Sequence, residues 1–160
     1  MKVEYINAFL NSAAYVLDQF GEESIETGSI TVKDEPIPSL EVGIILGIVG
    51  DLVGEVIISM SEDTAKALAG KMMMGGPAEE LGMMEQSALG EFGNMVSGGA
   101  VTRLYDAGVK LNISPPIVIS GQAVNVQTHK VQTIAVEIKP SFGVIETNVG
   151  LHEKYVAQTT

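Results

Sequence analysis

The chain has 160 residues, enough for one domain with a full core and too few for two comfortable ones. Hydrophobic residues make up 46% and charged residues 18%, with twenty Asp and Glu against nine Lys and Arg for a net charge of −11. That balance excludes a disordered chain and argues against nucleic acid or an anionic membrane as partner, while the lack of cysteine removes disulfides, thiolate metal sites and cysteine nucleophiles.

The N-terminal segment does not read as a secretory signal, because Glu4, Asn7 and Asn11 interrupt any apolar run. Residues 4–20 instead predict an amphipathic helix: Ile6, Phe9, Leu10, Ala13 and Leu17 recur at spacings of three and four, and Gly21 offers a stop. A polar stretch follows, in which Ile30 and Val32 suggest a short edge strand ending near Pro36 and Pro38. Residues 42–49 and 52–60 are β-rich runs joined at Gly50-Asp51, a hairpin signal. The first run is the longest apolar stretch and is too short to span a bilayer, so a cytoplasmic protein is expected.

Ser61 followed by Glu62 and Asp63 predicts the N-cap of a helix running to about residue 74, stopped by Gly75-Gly76-Pro77. A longer helix is expected over about 80–107, closed by Gly108. Strands are then expected at 109–113 and 117–120 on either side of Pro115-Pro116, at 124–127, at 131–139 and at 143–149. His129 is expected in a turn, His152 in the C-terminal tail, and residues 153–160 in a frayed end. With two histidines and no cysteine, no metal site is expected. The order is helix and three strands, a linking helix, then helix and three or four strands. The fold class is therefore α+β, a tandem pair of α-β-β-β units (about 1–60 and 80–150) in one domain, with a mainly antiparallel sheet and long helices packed on it.

The second long helix is unusual, since Gly90, Gly93, Gly98 and Gly99 each cost about 1 kcal/mol relative to Ala in a helix interior. At about 100° per residue, Leu89, Phe92, Val96 and Ala100 form a core face. Gly90, Gly93 and Ser97 make a small-residue seam beside it, suited to close approach by the first helix near Ala13-Ala14. Opposite the core face runs a row of Ser87, Glu91, Asn94 and Gly98 at spacings of four, three and four. A carboxylate and a carboxamide thus lie one turn apart toward solvent, with a hydroxyl on one side and bare backbone on the other. The competing reading is a plain solvated face. Met72, Met73, Met74, Met83 and Met84 crowd the linking helix and its connection to this one and read as adaptable core filling, with a docking surface as the alternative.

Ser87-x3-Glu91-x2-Asn94-x3-Gly98, followed by Ser114-Pro115-Pro116-Ile117-Val118-Ile119-Ser120-Gly121, resembles the signature of the CheC/CheX/FliY phosphatases. Glu91-Phe92-Gly93-Asn94-Met95 with Pro115-Pro116 is nearest the CheX branch, and the run from Met72 to Gly76 is similar to that family's Met-Gly-Gly segment. The resemblance implies hydrolysis of the phospho-aspartate of a CheY-like response regulator. It implies that Asn94 orients the attacking water and Glu91 pairs with the receiver's active-site Lys, with Ser87 and Gly98 as partner-binding positions. It also implies a homodimer, and a Mg²⁺ carried by the receiver, so that no cofactor of the chain's own is expected. Members with two sites repeat E-x-x-N on both long helices. Here the first helix reads Ala8-Phe9-Leu10-Asn11, which lacks the acid, so one site per chain is expected. A non-catalytic receiver-binding or flagellar-switch-like adaptor of the same fold is the alternative.

Overall fold

The computed structural model describes residues 2–23, 25–34, 41–121 and 132–153. In chain order the elements are α1 (Val3–Gln19), β1 (Glu26–Lys33), β2 (Val42–Gly50), β3 (Leu52–Met60), α2 (Glu62–Met72), α3 (Met83–Asp106), β4 (Leu111–Ile113), β5 (Ile117–Ser120), β6 (Thr133–Lys139) and β7 (Ile145–Glu153). The seven strands form one sheet in the order β1-β6-β7-β3-β2-β4, with β5 also paired to β2, and every pairing is antiparallel. Exchanging β1, β2 and β3 with β5, β6 and β7 returns the same order read backwards when β5 is taken as the neighbour of β2.

Alternation along the strands gives the sheet one apolar face. Val42, Ile44, Leu46 and Ile48 of β2 sit in register with Met60, Ile58, Val56 and Gly54 of β3, and β7 adds Ile145, Val149 and Leu151 to the same core. The helices α1 and α3 lie side by side on it, burying Phe9, Leu17, Leu89, Phe92, Val96 and Ala100 completely. Each such aliphatic or aromatic side chain contributes about 1.5–3 kcal/mol when fully buried.

Local signals explain the joints. Ser61 caps α2, its hydroxyl oxygen accepting the Thr64 N–H at 3.2 Å. β2 turns into β3 through Asp51, whose carboxylate accepts the Lys110 N–H at 2.8 Å and so fixes where β4 begins. Three elements meet at Glu22, just past α1. Its carboxylate accepts the Ser141 hydroxyl at 2.6 Å and the Ser141 N–H at 3.0 Å, and it lies 3.3 Å from Lys71 Nζ of α2. Glu22 is only 5% exposed.

The hydroxyl and backbone bonds from Ser141 hold the Glu22 carboxyl below its ordinary 4.5, with Lys71 adding to them against the effect of burial. A carboxyl depressed in the folded state stabilises it above the unfolded value and loses that contribution as pH falls through the folded value. Glu22→Gln is therefore expected to lower stability at pH 7 by roughly 1–2 kcal/mol and to flatten its decline below pH 4.5. Urea midpoints at pH 7 and below 4.5 check this; equal pH dependence in both proteins excludes the assignment.

Several boundaries differ from the sequence expectations. The second helix stops at Met72 because Met74 takes a φ of 61° and turns the chain back, and α3 starts at Met83 rather than near residue 80. β1 is eight residues long rather than a short strand. His152 and Glu153, expected in the tail, are the last residues of β7, held by pairing with Val53 and Leu52. The expected strand at 124–127, the His129 turn, Pro36, Pro38 and the tail from residue 154 lie outside the described residues.

Candidate functional site

The site is built on α3, and its four glycines show what compensates their helix cost. A Cβ on Gly93 would stand 2.6 Å from Ile44 Cγ2 and 3.2 Å from Leu46 Cδ1, so α3 rides directly on β2 at this residue. At Gly90 it would meet Pro116 Cγ at 3.4 Å, so the N-terminal half of α3 leans on the segment between β4 and β5. At Gly99 it would run into the Ser12 hydroxyl of α1. Ser12 donates in turn to the Val96 carbonyl at 2.6 Å, tying the two helices together through a buried bond. The expected Gly90-Gly93-Ser97 seam for α1 is thus corrected. Gly90 and Gly93 serve the edge and the sheet, and the helix–helix contact lies on the other flank of the core face, at Gly99.

Gly98 differs from the other three, because nothing lies within 4 Å of its Cβ position. It belongs to the outer row with Ser87, Glu91 and Asn94, all three exposed, and is itself half-buried. Successive members are three or four residues apart, so the side chains of Glu91 and Asn94 lie one turn from each other on a helix braced from below. The pair has the freedom to meet an external molecule, and the bare backbone at Gly98 leaves room for it.

Two residues beyond the expected set position this row. Ser114 N–H donates to the Gly47 carbonyl at 2.9 Å, and its hydroxyl oxygen accepts the Gly47 N–H at 2.8 Å. That clasp pins the Ser114-Pro115-Pro116 break to β2 and carries Pro116 beneath Gly90, one residue before Glu91. The signal in the sequence was the Ser-Pro-Pro run itself, but its target on α3 depends on a contact between distant parts of the chain.

On α1 the echo of this arrangement is partial. Phe9 and Phe92 are both fully buried, while Asn11 and Asn94 are both exposed. Ala8, which occupies the place corresponding to Glu91, is 6% exposed and turned into the core. Among the described residues, no group of three or more His, Asp or Glu is arranged to hold a metal ion, and no helix is long and apolar enough to cross a membrane.

The expected core role of the methionines is also corrected. Met72 packs against the core, whereas Met73, Met74, Met83 and Met84 are 42%, 95%, 87% and 69% exposed. At about 100° per residue, Met83 and Met84 flank the sector of Ser87, Glu91, Asn94 and Gly98, so their helical angle already carried them away from the core face.

A family model described as chemotaxis phosphatase CheX matches residues 42–139, from the start of β2 to the end of β6 and including all of α3. The chain belongs to the CheX family. It is 33% identical over 129 residues to the CheY-P phosphatase CheX of Thermotoga maritima, covering 80% of this chain and 83% of that protein. Among solved CheX-like structures, the CheC-like superfamily protein of Shewanella sp. PV-4 has a TM-score of 0.84 at 27% identity, over 95% of this chain and 99% of that one. The CheX–CheY–BeF3–Mg²⁺ complex of Borrelia burgdorferi matches with a TM-score of 0.79 at 29% identity, over 95% of this chain and 100% of that one.

Proposed function

We propose that this chain hydrolyses the aspartyl phosphate of a phosphorylated CheY-like response regulator in chemotaxis signalling. The observation that carries the reading is the exposed Glu91–Asn94 pair on a sheet-backed helix, in a chain of the CheX family. An acyl phosphate already has a good leaving group, so the catalyst need not supply a nucleophile. It must place a water in line with phosphorus and hold it there, which is a positioning task. A carboxamide suits it, since Asn94 can accept a hydrogen bond from the water through Oδ1 and donate one through Nδ2. The water oxygen bonds to phosphorus as the bond to the aspartyl oxygen breaks. The carboxylate leaves as an anion and the water's proton goes to the phosphate.

In this reading Glu91 pairs with the receiver's active-site Lys and sets the register of α3 in the phosphorylation pocket. Ser87 and Gly98 are docking positions, Gly98 by allowing close backbone approach. The Mg²⁺ is the receiver's. The reading includes a homodimer joined through the sheets, as the resemblance implies; the exposed Ile30 and Val32 on edge strand β1 support it, and sedimentation equilibrium measures it directly.

The test is phosphate release from a CheY receiver phosphorylated by a small-molecule donor in the presence of Mg²⁺, with and without this chain. Glu91→Ala is expected to raise KM about tenfold and to lower kcat less than the loss of Asn94 does, since an ion pair at a part-desolvated interface is worth on the order of 1.5 kcal/mol or more. Wild-type kinetics in this variant would remove Glu91 from the site. Receiver binding without phosphate release by the wild type would establish the adaptor reading instead.

A further inference from the structure

We infer that Met83 and Met84 form an apolar anchor for the phosphorylated receiver, setting its affinity and leaving hydrolysis to the residues further along α3. The inference rests on the phosphatase reading and adds to it the surface that recognises the substrate.

Both side chains stand in solvent, 87% and 69% exposed, at the first two positions of α3. The chain leading to them is fixed. Gly75 N–H donates to the Gly70 carbonyl at 2.8 Å and Ala78 N–H to the Lys66 carbonyl at 3.0 Å, which folds the linker back on α2. Leu81 packs against the core, and its carbonyl accepts Gln86 Nε2 at 2.9 Å. The exposure of the two methionines is therefore a property of a well-anchored helix start.

Their position relates them to the site. At about 100° per residue they bracket the same sector of about 100° that holds Ser87, Glu91, Asn94 and Gly98. At about 1.5 Å per residue they lie about 13–14 Å along the axis from the midpoint of Glu91 and Asn94. A standard interface covers about 800 Å² on each partner, roughly 16 Å in radius if round. A receiver whose pocket is centred on Glu91 and Asn94 therefore overlies Met83 and Met84. Tyr105 shares the row at its far end and is 61% exposed, but at about 19 Å it falls outside that footprint.

The chemistry fits. A chain of net charge −11 gains nothing from bulk electrostatics on approaching a pocket that itself holds carboxylates. Burial of apolar surface supplies attraction that does not depend on charge, and an unbranched thioether adapts to the shape it meets. The occupant is thus an apolar shoulder of the receiver beside its phosphorylation pocket.

Steady-state phosphate release with wild type, M83Q/M84Q and M83L/M84L tests this. Gln matches Met in length and helix propensity, so the fold is kept while the apolar surface is lost. The Gln pair is expected to raise KM about tenfold with kcat within about twofold, and the Leu pair to stay within about threefold of the wild-type KM. An active wild type with an unchanged KM in the Gln pair overturns the inference and leaves the phosphatase reading standing. A loss of kcat at unchanged KM overturns it as well. A wild type that releases no receiver phosphate overturns the reading beneath it, and the inference with it.

Discussion

Replacing Asn94 with Ala is expected to lower kcat for receiver dephosphorylation by about 100- to 1000-fold, the range seen when one precisely placed hydrogen-bonding group is removed from a transition state. With no cysteine, and with His152 on β7 and no histidine on α3, the row on α3 lacks both a thiolate and the imidazole that ordinarily activates a serine such as Ser87. Its distinctive group is a carboxamide, which both donates and accepts, and orienting a water needs both. Ala removes both functions and leaves the helix intact, because Asn94 is exposed and supports no packing. KM should move by less than about threefold, since an interaction made only in the transition state affects kcat and kcat/KM alike. Burst-free single-turnover kinetics with saturating enzyme reads the chemical step directly. An Asn94→Ala protein as fast as wild type removes the water-positioning role.

Gly93→Val is expected to destabilise the fold by about 2 kcal/mol or more and to abolish most of the activity with it. Even the Cβ alone would stand 2.6 Å from Ile44 Cγ2, and two further methyl carbons would have to enter a contact already closed by Leu46. Overpacking of this kind costs about 1–3 kcal/mol, against which the better helix propensity of Val returns only a few tenths. The relief available is a shift of α3 away from β2, and that shift carries Glu91 and Asn94 off their register. Urea denaturation measures the first effect, and residual phosphate release under conditions where the variant is still folded measures the second. Wild-type stability in this variant would mean that α3 does not ride on β2 as described.

The amino-acid sequence carries the face of each element but not the neighbour that the face meets. Periodicity gave the faces of elements well. Leu89, Phe92, Val96 and Ala100 are buried, Ser87, Glu91 and Asn94 are outside, Ser61 caps α2, and the chain reverses at Gly50-Asp51. Periodicity does not name the neighbour of a face. Gly90 and Gly93 read as a helix-packing seam, yet one meets Pro116 and the other Ile44, contacts set by long-range pairing of β5 and β2. The adjacency of β3 and β7, which lie far apart in the chain, has no local signature either. Met83 and Met84 differ from the core reading for another reason: composition suggested core, while their angle on α3 places them beside the polar row. The placement of Glu91 and Asn94 one turn apart toward solvent was legible because both residues lie on one continuous helix.

The break at Pro115-Pro116 has a consequence for how the molecule guards itself. A sheet edge offers unpaired N–H and C=O groups to any stray strand, and a continuous edge invites fibrous growth. Here the edge nearest α3 is cut into β4 and β5, three and four residues long, with two imino acids between them that have no N–H to offer. No foreign strand can run an unbroken ladder along that side. The break that carries Pro116 beneath Gly90 of α3 therefore also blunts this flank of the sheet against strand addition.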